Sequence, residues 1–319
     1  MLIHESSMKI ARRIEEAAGF APSAVTIGNF DGVHLGHQHL FEEAVRAASE
    51  ARARPTVLTF DPHPARVVAP DRAPGLLTPI EERCRLIEQY GIAQVLILPF
   101  DETLARRSPE EFVREILVQT LGTKIVLVGE NFRFGHKQSG DTRLLARLGE
   151  QYGFETRIVS AIRLRNRIVS SSEVRKLIEA GRVSLACRML KRPYALCGEV
   201  VRGHGIGSKQ VVPTLNLRVS GEVLPRRGVY ITRTADVDSS RQWRSITNIG
   251  YRPTFGGDSG LSIETFLLDP LEDPPPGRIR VEFLHRVREE KKFESPEALK
   301  SQVLRDVNRA QSYFRRIPA

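Results

Sequence analysis

The feature that most constrains this chain is a ten-residue segment, Gly28–His37, set between an apolar run and an amphipathic stretch. The apolar run, Ala24–Ile27, predicts a strand, and the stretch after the segment places Leu40, Phe41 and Ala44 at helical spacing. A strand, a glycine-rich turn and a helix in this order bring N–H groups and the positive end of a helix dipole to one point. The segment therefore predicts a phosphate-binding turn.

Two histidines in that turn are candidates for binding phosphate. His34 and His37 stand three positions apart with Gly36 between them, a spacing that can direct both imidazoles at one phosphate. The glycines of the segment allow backbone and ligand to approach closely. A helix cap carrying two surface histidines is the other interpretation, but capping requires neither imidazole.

The first half of the chain alternates apolar strands with helical segments. Capping boxes with proline at the first helical position are predicted at Thr78–Glu81 and Ser108–Glu111. This alternation predicts an α/β doubly wound parallel sheet, with ligands beyond the carboxyl ends of its strands. The predicted strands are Ala24–Gly28, Thr56–Phe60, Gln94–Leu98, Lys124–Gly129 and Thr156–Ser160.

The second half changes to short strands without long helices, which predicts an antiparallel β-barrel. Length favours two domains, which we place at 1–185 and 186–319. A C-terminal helix is predicted from Ser295, its apolar stripe packing on the barrel; the stripe consists of Leu299, Val303, Val307, Ala310 and Phe314. The barrel strands are predicted at Cys197–Gly203, Thr214–Val219, Gly228–Thr234, Trp243–Ile249, Ser262–Leu268 and Ile279–Leu284.

Charge and composition narrow the classes of partner. The net charge of +10 favours an anionic partner, either nucleic acid or a phosphorylated small molecule. Short, scattered arginine runs and the lack of any RNA- or DNA-binding motif favour small molecules and no nucleic acid. Without an 18-residue apolar stretch, a signal peptide or paired cysteine motifs, we expect a cytoplasmic protein with no membrane partner. The sequence does not reveal the oligomeric state.

The run from Gly28 to His34, Gly-Asn-Phe-Asp-Gly-Val-His, resembles the family of bacterial bifunctional riboflavin kinases/FMN adenylyltransferases. The spacing of His34 and His37 is similar to the HxGH signature of the wider nucleotidylyltransferase superfamily. The resemblance implies a nucleotidylyltransferase domain that binds ATP, in which both imidazoles donate hydrogen bonds to phosphate oxygens. It also implies ligand contacts from Gly28, Asn29, Phe30, Asp31 and Gly36.

Three further segments support this resemblance. Thr59–Pro64 places Asp61 in a ligand loop after the second strand, where a plain Pro-rich turn is the alternative. Gly129–Gly135 is similar to the family's flavin-side loop, which implies ligand contacts from Asn131 and from the later Asp141. The two aromatic residues of that loop, Phe132 and Phe134, are expected to be exposed unless the loop is a buried hairpin tip.

The third segment, Val169–Arg175, resembles the superfamily's second phosphate signature. It implies phosphate contacts from Ser171, Ser172 and Arg175 at a helix start. A plain N-cap with a salt-bridging arginine is the alternative interpretation.

Most of Gly198–Phe314 resembles a riboflavin kinase domain, and no Walker P-loop occurs. The resemblance implies a loop over the ATP phosphates, a Mg²⁺ site formed by Thr214 and Asn216, and Glu264 as the general base for the ribityl 5′-hydroxyl. A carboxylate on the solvent face of a strand is the alternative for Glu264. The glycines of the phosphate loop are Gly203, Gly205 and Gly207.

The kinase loop departs from the family pattern GxGRGRxxGFPTAN. Ile206 and Ser208 replace basic residues, Val211-Val212 replaces Gly-Phe, and Leu215 replaces Ala. A β-branched residue disfavours positive φ where glycine is usual, so we expect weaker ATP binding with kinase activity retained.

The preferred interpretation is a bifunctional enzyme that uses ATP and Mg²⁺, with riboflavin, FMN and FAD as substrates and products. Three alternatives stay open at this point. They are a nucleotidylyltransferase acting on nicotinate mononucleotide or phosphopantetheine, an FMN adenylyltransferase with an inactive kinase domain, and a basic nucleic-acid-binding protein.

Overall fold

The computed structural model describes residues 8–201, 214–251, 261–271, 274–291 and 293–316. The chain divides into two compact units, Met1–Ser171 and Ser172–Ala319. The division precedes the predicted boundary after residue 185 because the helix Val183–Leu190 contacts the barrel strands of the second unit. The exact domain boundary stays a prediction.

The first unit contains a six-stranded sheet in which every neighbouring pair of strands is parallel. Its order, β1-β4-β3-β2-β5-β6, confirms the doubly wound prediction. Sequence patterning missed β1, because three residues are too few to show a period. The strands are β1 (Lys9–Ala11), β2 (Ser23–Ile27), β3 (Arg54–Asp61), β4 (Gln94–Pro99), β5 (Thr123–Gly129) and β6 (Glu155–Val159).

Helices connect these strands on both sides of the sheet. They are α1 (Leu35–Glu50), α2 (Ala65–Val68), α3 (Ile80–Glu88), α4 (Glu102–Arg106), α5 (Pro109–Glu111), which continues as a π-helix over Phe112–Thr120, and α6 (Thr142–Tyr152). Single 3₁₀ turns occupy Ile14–Ala17, Pro70–Arg72 and His136–Gln138, and a small hairpin pairs β7 (Arg163–Leu164) with β8 (Arg167–Ile168).

One of the two predicted capping boxes is confirmed. The Ser108 hydroxyl accepts from the Glu111 N–H at 3.2 Å, while the Glu111 carboxylate accepts from the Ser108 N–H at 2.8 Å. The prediction at Thr78 is wrong, because Pro79 precedes the first residue of α3 and no side chain caps that helix. The Thr78 hydroxyl instead accepts a hydrogen bond from the Gly32 N–H.

Alternate residues of the central strands enter two separate cores. Val25 and Val126 pack on one face against Phe112–Thr120, whereas Ala24 and Ile125 pack on the other face with α1 and α3. Strands covered on both faces are continuous in their apolar pattern, which explains why the sequence predicted them well.

The strand order reverses beside β2, which lies between β3 and β5. In open parallel sheets, the crevice at such a switch point is the usual ligand site. The segment Gly28–His37 follows β2, and the segment 129–135 begins at the last residue of β5. Both predicted ligand loops therefore begin at neighbouring strand ends.

The second unit is a closed six-stranded antiparallel barrel, which confirms the prediction. Its order is β10-β13-β12-β11-β14-β9. The strands are β9 (Tyr194–Val201), β10 (Thr214–Arg218), β11 (Gly228–Asp236), β12 (Gln242–Tyr251), β13 (Leu261–Leu267) and β14 (Arg278–Arg288); α7 (Ser171–Glu179) and α8 (Val183–Leu190) precede them and α9 (Pro296–Arg316) follows.

A chain of buried hydroxyls crosses the barrel interior. Thr234 contacts Ser245 and Ser245 contacts Thr232 at 2.8 Å, Thr232 contacts Thr247 at 2.8 Å, and Thr247 contacts Thr265 at 3.0 Å. All five side chains are fully buried, so each hydroxyl needs such a partner. The chain links β11, β12 and β13 in one register.

The C-terminal helix α9 packs on the outside of the barrel. Ala310, Val307 and Phe314 lie against Val229 and neighbouring strand residues, as the apolar stripe predicted. Leu299 is 38% exposed, so the packing begins farther along the helix than expected. No described helix is long and apolar enough to cross a membrane.

Asp306 fixes α9 to β14. It is 3% exposed and accepts hydrogen bonds from Arg288 Nε and Gln302 Nε2, both at 2.9 Å. Removing one partner of a buried ion pair leaves the other charge uncompensated, so Asp306→Ala should destabilise the barrel unit by about 3 kcal/mol. Trp243, the single tryptophan of the chain, is buried in the barrel and reports the urea unfolding curve by fluorescence.

The control is Glu297→Ala, which removes an exposed carboxylate from the first turn of the same helix. Its unfolding midpoint should stay close to that of the parent protein. An equal shift for both variants would contradict the specific role of Asp306.

Candidate active sites

The loop after β2 adopts an uncommon backbone. Phe30 and Val33 have φ of 48° and 42°, and Gly32 between them has φ of 85°. The left-handed region is unfavourable for residues other than glycine, above all for a β-branched one. Such a conformation persists only where the surroundings determine it, which is typical of functional loops.

Asp31 holds this loop from inside the protein. Its side chain is 1% exposed, and its carboxylate accepts hydrogen bonds from the N–H groups of Leu77 and Thr78 at 2.9–3.0 Å. Buried Arg83 lies 3.8 Å from the same carboxylate. The sequence predicted Asp31 as a ligand contact, and the structure gives its oxygens a set of internal partners.

Further hydrogen bonds hold the rest of the loop. The Gly32 N–H donates to the Thr78 hydroxyl at 3.0 Å, which is the contact that replaces the predicted cap. Ser171 Oγ donates to the carbonyl of Asp31 at 2.8 Å, and Thr59 Oγ1 donates to the carbonyl of Asn29 at 3.3 Å. Ser171 was predicted as a phosphate contact, and its hydroxyl lies directly on the loop.

The two histidines lie together at the start of α1. Their rings stack with centroids 3.6 Å apart and planes 21° from parallel. His34 is the N-cap of α1, and its Nδ1 accepts from the His37 N–H at 3.4 Å. The rings of Phe30 and His37 are nearly perpendicular with centroids 5.2 Å apart, so this buried phenylalanine orients an imidazole.

Two glycines of the loop make room for these rings. A Cβ on Gly36 would lie 3.3 Å from atoms of the His34 ring and 3.6 Å from the carbonyl oxygen of Val169. A Cβ on Gly28 would lie 3.1 Å from the Phe30 ring. Their small size therefore serves the packing of the loop itself.

The loop after β3 meets the first loop through His63. The Asn29 amide nitrogen lies 3.3 Å from His63 Nε2, and His63 Nδ1 accepts from the Ala65 N–H at 3.2 Å. Asp61 is half-buried at the end of β3. Sequence reasoning selected Asp61 but not His63, although the histidine between two prolines in the same motif was the available signal.

The loop after β5 is a small hairpin whose aromatic residues point inward. Phe134 pairs with Gly140, is 6% exposed, and stacks on Phe132 with centroids 5.5 Å apart. Of the two sequence interpretations, exposed rings are wrong and the buried hairpin tip is confirmed, because both rings join the core on one face of the sheet. Asn131 is exposed next to them.

Asp141 is the N-cap of α6. Its carboxylate accepts from the Leu144 N–H at 2.8 Å, and this hydrogen bond holds the pKa of Asp141 below its usual value. Arg133 lies 3.9 Å from its other oxygen. The residue is partly exposed, so a carboxylate oxygen remains accessible for a ligand.

The remaining phosphate candidates lie on α7. Ser172 belongs to the first turn of this helix, and Arg175 follows one turn later with 9% exposure. Both residues belong to the second compact unit.

The barrel brings the predicted kinase residues onto neighbouring strands. Thr214 and Asn216 occupy alternate positions of β10, on the face opposite to buried Leu215. Glu264 on β13 pairs directly with Asn216. The predicted phosphate-loop glycines, Gly203, Gly205 and Gly207, and the departures at Ile206, Ser208 and Val211-Val212, lie outside the described residues.

Glu264 points to the outer face of the barrel. Its neighbours Ile263 and Thr265 are 3% and 0% exposed, so they face the interior, whereas Glu264 is half-buried. This alternation agrees both with a general base and with a plain solvent-facing carboxylate. The pairing with Asn216 favours the general base, because it places Glu264 beside a predicted Mg²⁺ ligand. No group of three histidine, cysteine, aspartate or glutamate residues that could hold a metal occurs among the described residues.

Comparison with known proteins identifies both halves of the chain. The family model for FAD synthetase matches residues 17–173, and the model for riboflavin kinase matches residues 190–314. The first match contains His34, His37, Ser171 and Ser172 but ends before Arg175, and the second contains Thr214, Asn216 and Glu264.

Similar curated proteins carry both names together. A bifunctional riboflavin kinase/FMN adenylyltransferase from Pseudomonas fluorescens is 36% identical over 287 residues, covering 90% of this chain and 91% of the relative. The protein of the same name from Escherichia coli (strain K12) is 33% identical over 310 residues, covering 96% and 98%.

The fold is also found in a solved structure described as a macrolide-efflux protein from Streptococcus pneumoniae. It matches with a TM-score of 0.83 and 26% sequence identity, over 95% of this chain and 98% of that one. The sequence matches in both halves and the shared architecture agree with the two sites described above. The chain therefore belongs to the family of bifunctional riboflavin kinases/FMN adenylyltransferases.

Proposed function

We propose that this chain makes FMN from riboflavin and ATP, and FAD from FMN and a second ATP. The family membership supports both activities. We assign adenylyl transfer to residues 1–185 and riboflavin phosphorylation to residues 186–319. The observation that carries the first assignment is the stacked pair of His34 and His37 on an anchored loop at the sheet's switch point.

In adenylyl transfer, a phosphate oxygen of FMN attacks the α-phosphorus of ATP. The bond from that phosphorus to the bridging oxygen breaks, and pyrophosphate leaves. Reactions of this kind depend mainly on positioning and on stabilisation of phosphate charge. His34 and His37 donate hydrogen bonds to phosphate oxygens, and the N-terminus of α1 adds its dipole.

Further residues are assigned to this site because they match the family's motifs. Asn29, Asp61, Asn131 and Asp141 contact nucleotide or flavin, as the resemblance implied, and His63 joins them through its contact with Asn29. Ser171, Ser172 and Arg175 are retained as phosphate contacts. The backbone of Gly28 and Gly36 borders the ligand, whereas Phe30 and Asp31 act by shaping the loop.

In the kinase reaction, Glu264 takes the proton of the ribityl 5′-hydroxyl. The hydroxyl oxygen then bonds to the γ-phosphorus of ATP, and ADP leaves. Gly203, Gly205 and Gly207 cover the nucleotide phosphates in this proposal. The placement of Glu264 directly opposite Asn216 supports its role.

Thr214 and Asn216 fit a Mg²⁺ ion. Their hydroxyl and amide oxygens are the hard ligands that this ion prefers, and both side chains share one half-buried face of β10. When bound, Mg²⁺ would neutralise charge on the transferred phosphate. The three cysteines, Cys84, Cys187 and Cys197, are free thiols, which supports a reducing compartment such as the cytoplasm.

Replacing both imidazoles tests the adenylyltransferase site. Because removal of a single transition-state donor costs about 10²–10³ in rate, His34→Ala with His37→Ala should lower FAD formation from FMN at least about 10³-fold. FMN formation from riboflavin should be unchanged. Both products are separated by chromatography after incubation with Mg²⁺ and ATP.

The matched control is His39→Ala, a partly exposed imidazole on the same helix whose Nδ1 lies 4.0 Å from Glu42. It should leave both activities unchanged. If the double variant lost both activities to the same degree, one shared site would be indicated and the assignment would fail.

Replacing the proposed base tests the kinase site. General-base catalysis contributes about 10²–10⁴ in rate, so Glu264→Gln should reduce FMN formation from riboflavin by about that factor. FAD formation from FMN should persist. Glu199→Gln, an exposed carboxylate on β9, is the control. A parent protein that makes FAD from FMN but no FMN from riboflavin would instead indicate an inactive kinase domain.

The metal assignment predicts a shift in Mg²⁺ requirement. Asn216→Ala removes one ligand, so the Mg²⁺ concentration for half-maximal riboflavin phosphorylation should rise roughly tenfold or more. The Mg²⁺ dependence of FAD formation should not move. Asn308→Ala, an exposed amide on α9, is the control, and an unchanged Mg²⁺ curve for Asn216→Ala would exclude this residue as a ligand.

A further inference from the structure

Three polar residues form a row across the outer face of the barrel. Glu264 on β13 pairs directly with Asn216 on β10, and on its other side it pairs directly with Asn248 on β12. Residues directly opposite each other on antiparallel strands have Cβ atoms about 4.5–5.5 Å apart. Glu264 therefore has an amide side chain on each side.

Asn248 has no evident structural reason to be an asparagine. Asparagine is disfavoured in strands, yet this one lies inside β12 between Thr247 and Ile249, which both face the barrel interior. The side chain is half-buried on the outer face. Within the part of the chain that the structure describes, no hydrogen bond occupies its side-chain amide.

The space beside Asn248 is shaped for polar groups. A Cβ on Gly250 would stand 3.3 Å from Asn248 Nδ2 and only 2.1 Å from Glu290 Oε1. A side chain at position 250 would therefore displace the Glu290 carboxylate. Glycine there leaves room for the amide nitrogen of Asn248 and the Glu290 carboxylate on the strand face that also carries Glu264.

We propose that Asn248 is a positioning residue of the kinase site, whose side-chain N–H donates to the Glu264 carboxylate and fixes its direction. This inference rests on the proposed role of Glu264 as the base. A general base must lie about 2.6–3.2 Å from the hydroxyl that it deprotonates. A carboxylate on a strand face can adopt several rotamers, and a donor at one side selects among them.

The two amides beside Glu264 then have different tasks. The oxygen of Asn216 is assigned to Mg²⁺ in the proposed function. Asn248 supplies the N–H on the opposite side. Hydrogen bonds of catalytic groups are often long before substrate binds and shorten in the complex, so the bond from Asn248 forms fully with riboflavin present.

Three substitutions at this position test the proposal. Asn248→Ala removes the amide, Asn248→Asp keeps its shape but removes the donor, and Asn248→Ser restores a shorter donor. We expect kcat for riboflavin phosphorylation to fall about 10- to 100-fold for the Ala and Asp variants and to recover partly for the Ser variant. The KM values for riboflavin and for ATP should stay within about twofold of the parent values. A rise in KM at unchanged kcat would overturn the proposal.

Two controls use the intact chain. FAD formation from FMN, measured on the same preparations, should be unchanged, and an unchanged urea unfolding curve by Trp243 fluorescence shows that the barrel of each variant is folded. Gln242→Ala removes another amide from the outer face of β12, at its far end, and should leave both activities unchanged.

A double-variant cycle identifies the route of the effect. If Asn248 acts through the base, Glu264→Gln combined with Asn248→Ala should be no slower than Glu264→Gln alone. A further loss by the full factor of Asn248→Ala would overturn the positioning role. If Glu264→Gln lowers kcat and no Asn248 variant does, only this inference fails; if Glu264→Gln has no effect, the proposed base itself is wrong.

Discussion

The N-terminal site depends on the carboxylate of Asp31. Backbone in the left-handed region costs about 1–3 kcal/mol for each residue other than glycine, and Phe30 and Val33 both adopt it. The hydrogen bonds from Leu77 and Thr78 to Asp31 offset that cost. They hold the turn so that both imidazoles are already stacked at the start of α1. The loop is thus organised before any phosphate arrives.

Local patterns predicted the architecture of both units, because a strand or helix shows its period within a few residues. The site was predicted where its residues are close in sequence, as with His34 and His37. The capping interpretation failed for Thr78 because its partner is distant along the chain. The N–H and hydroxyl of Thr78 instead donate to the Asp31 carboxylate, 47 residues away in sequence. The inward rings of Phe132 and Phe134 likewise depend on a core that no local period describes.

In the barrel site, too, the sequence pattern does not reveal partners that lie on other strands. Alternation along β13 predicts that Glu264 and Ile263 face opposite sides, but not what stands beside Glu264. Asn216 and Asn248 lie directly opposite it on two other strands, and only the pairing register brings them there. Register is set by contacts over the whole barrel, so a single sequence does not reveal it.

The hydroxyl chain inside the barrel bears on that register. If β13 slipped by one residue, every side chain would change face, so Thr265 would leave the interior and Glu264 would enter it. Thr247 would lose one of its two hydroxyl partners, and the Glu264 carboxylate would be moved into the buried interior of the barrel. Mispaired forms are therefore penalised twice during folding. The buried hydroxyls of the barrel interior thereby disfavour any strand register that would misplace Glu264 on the opposite face.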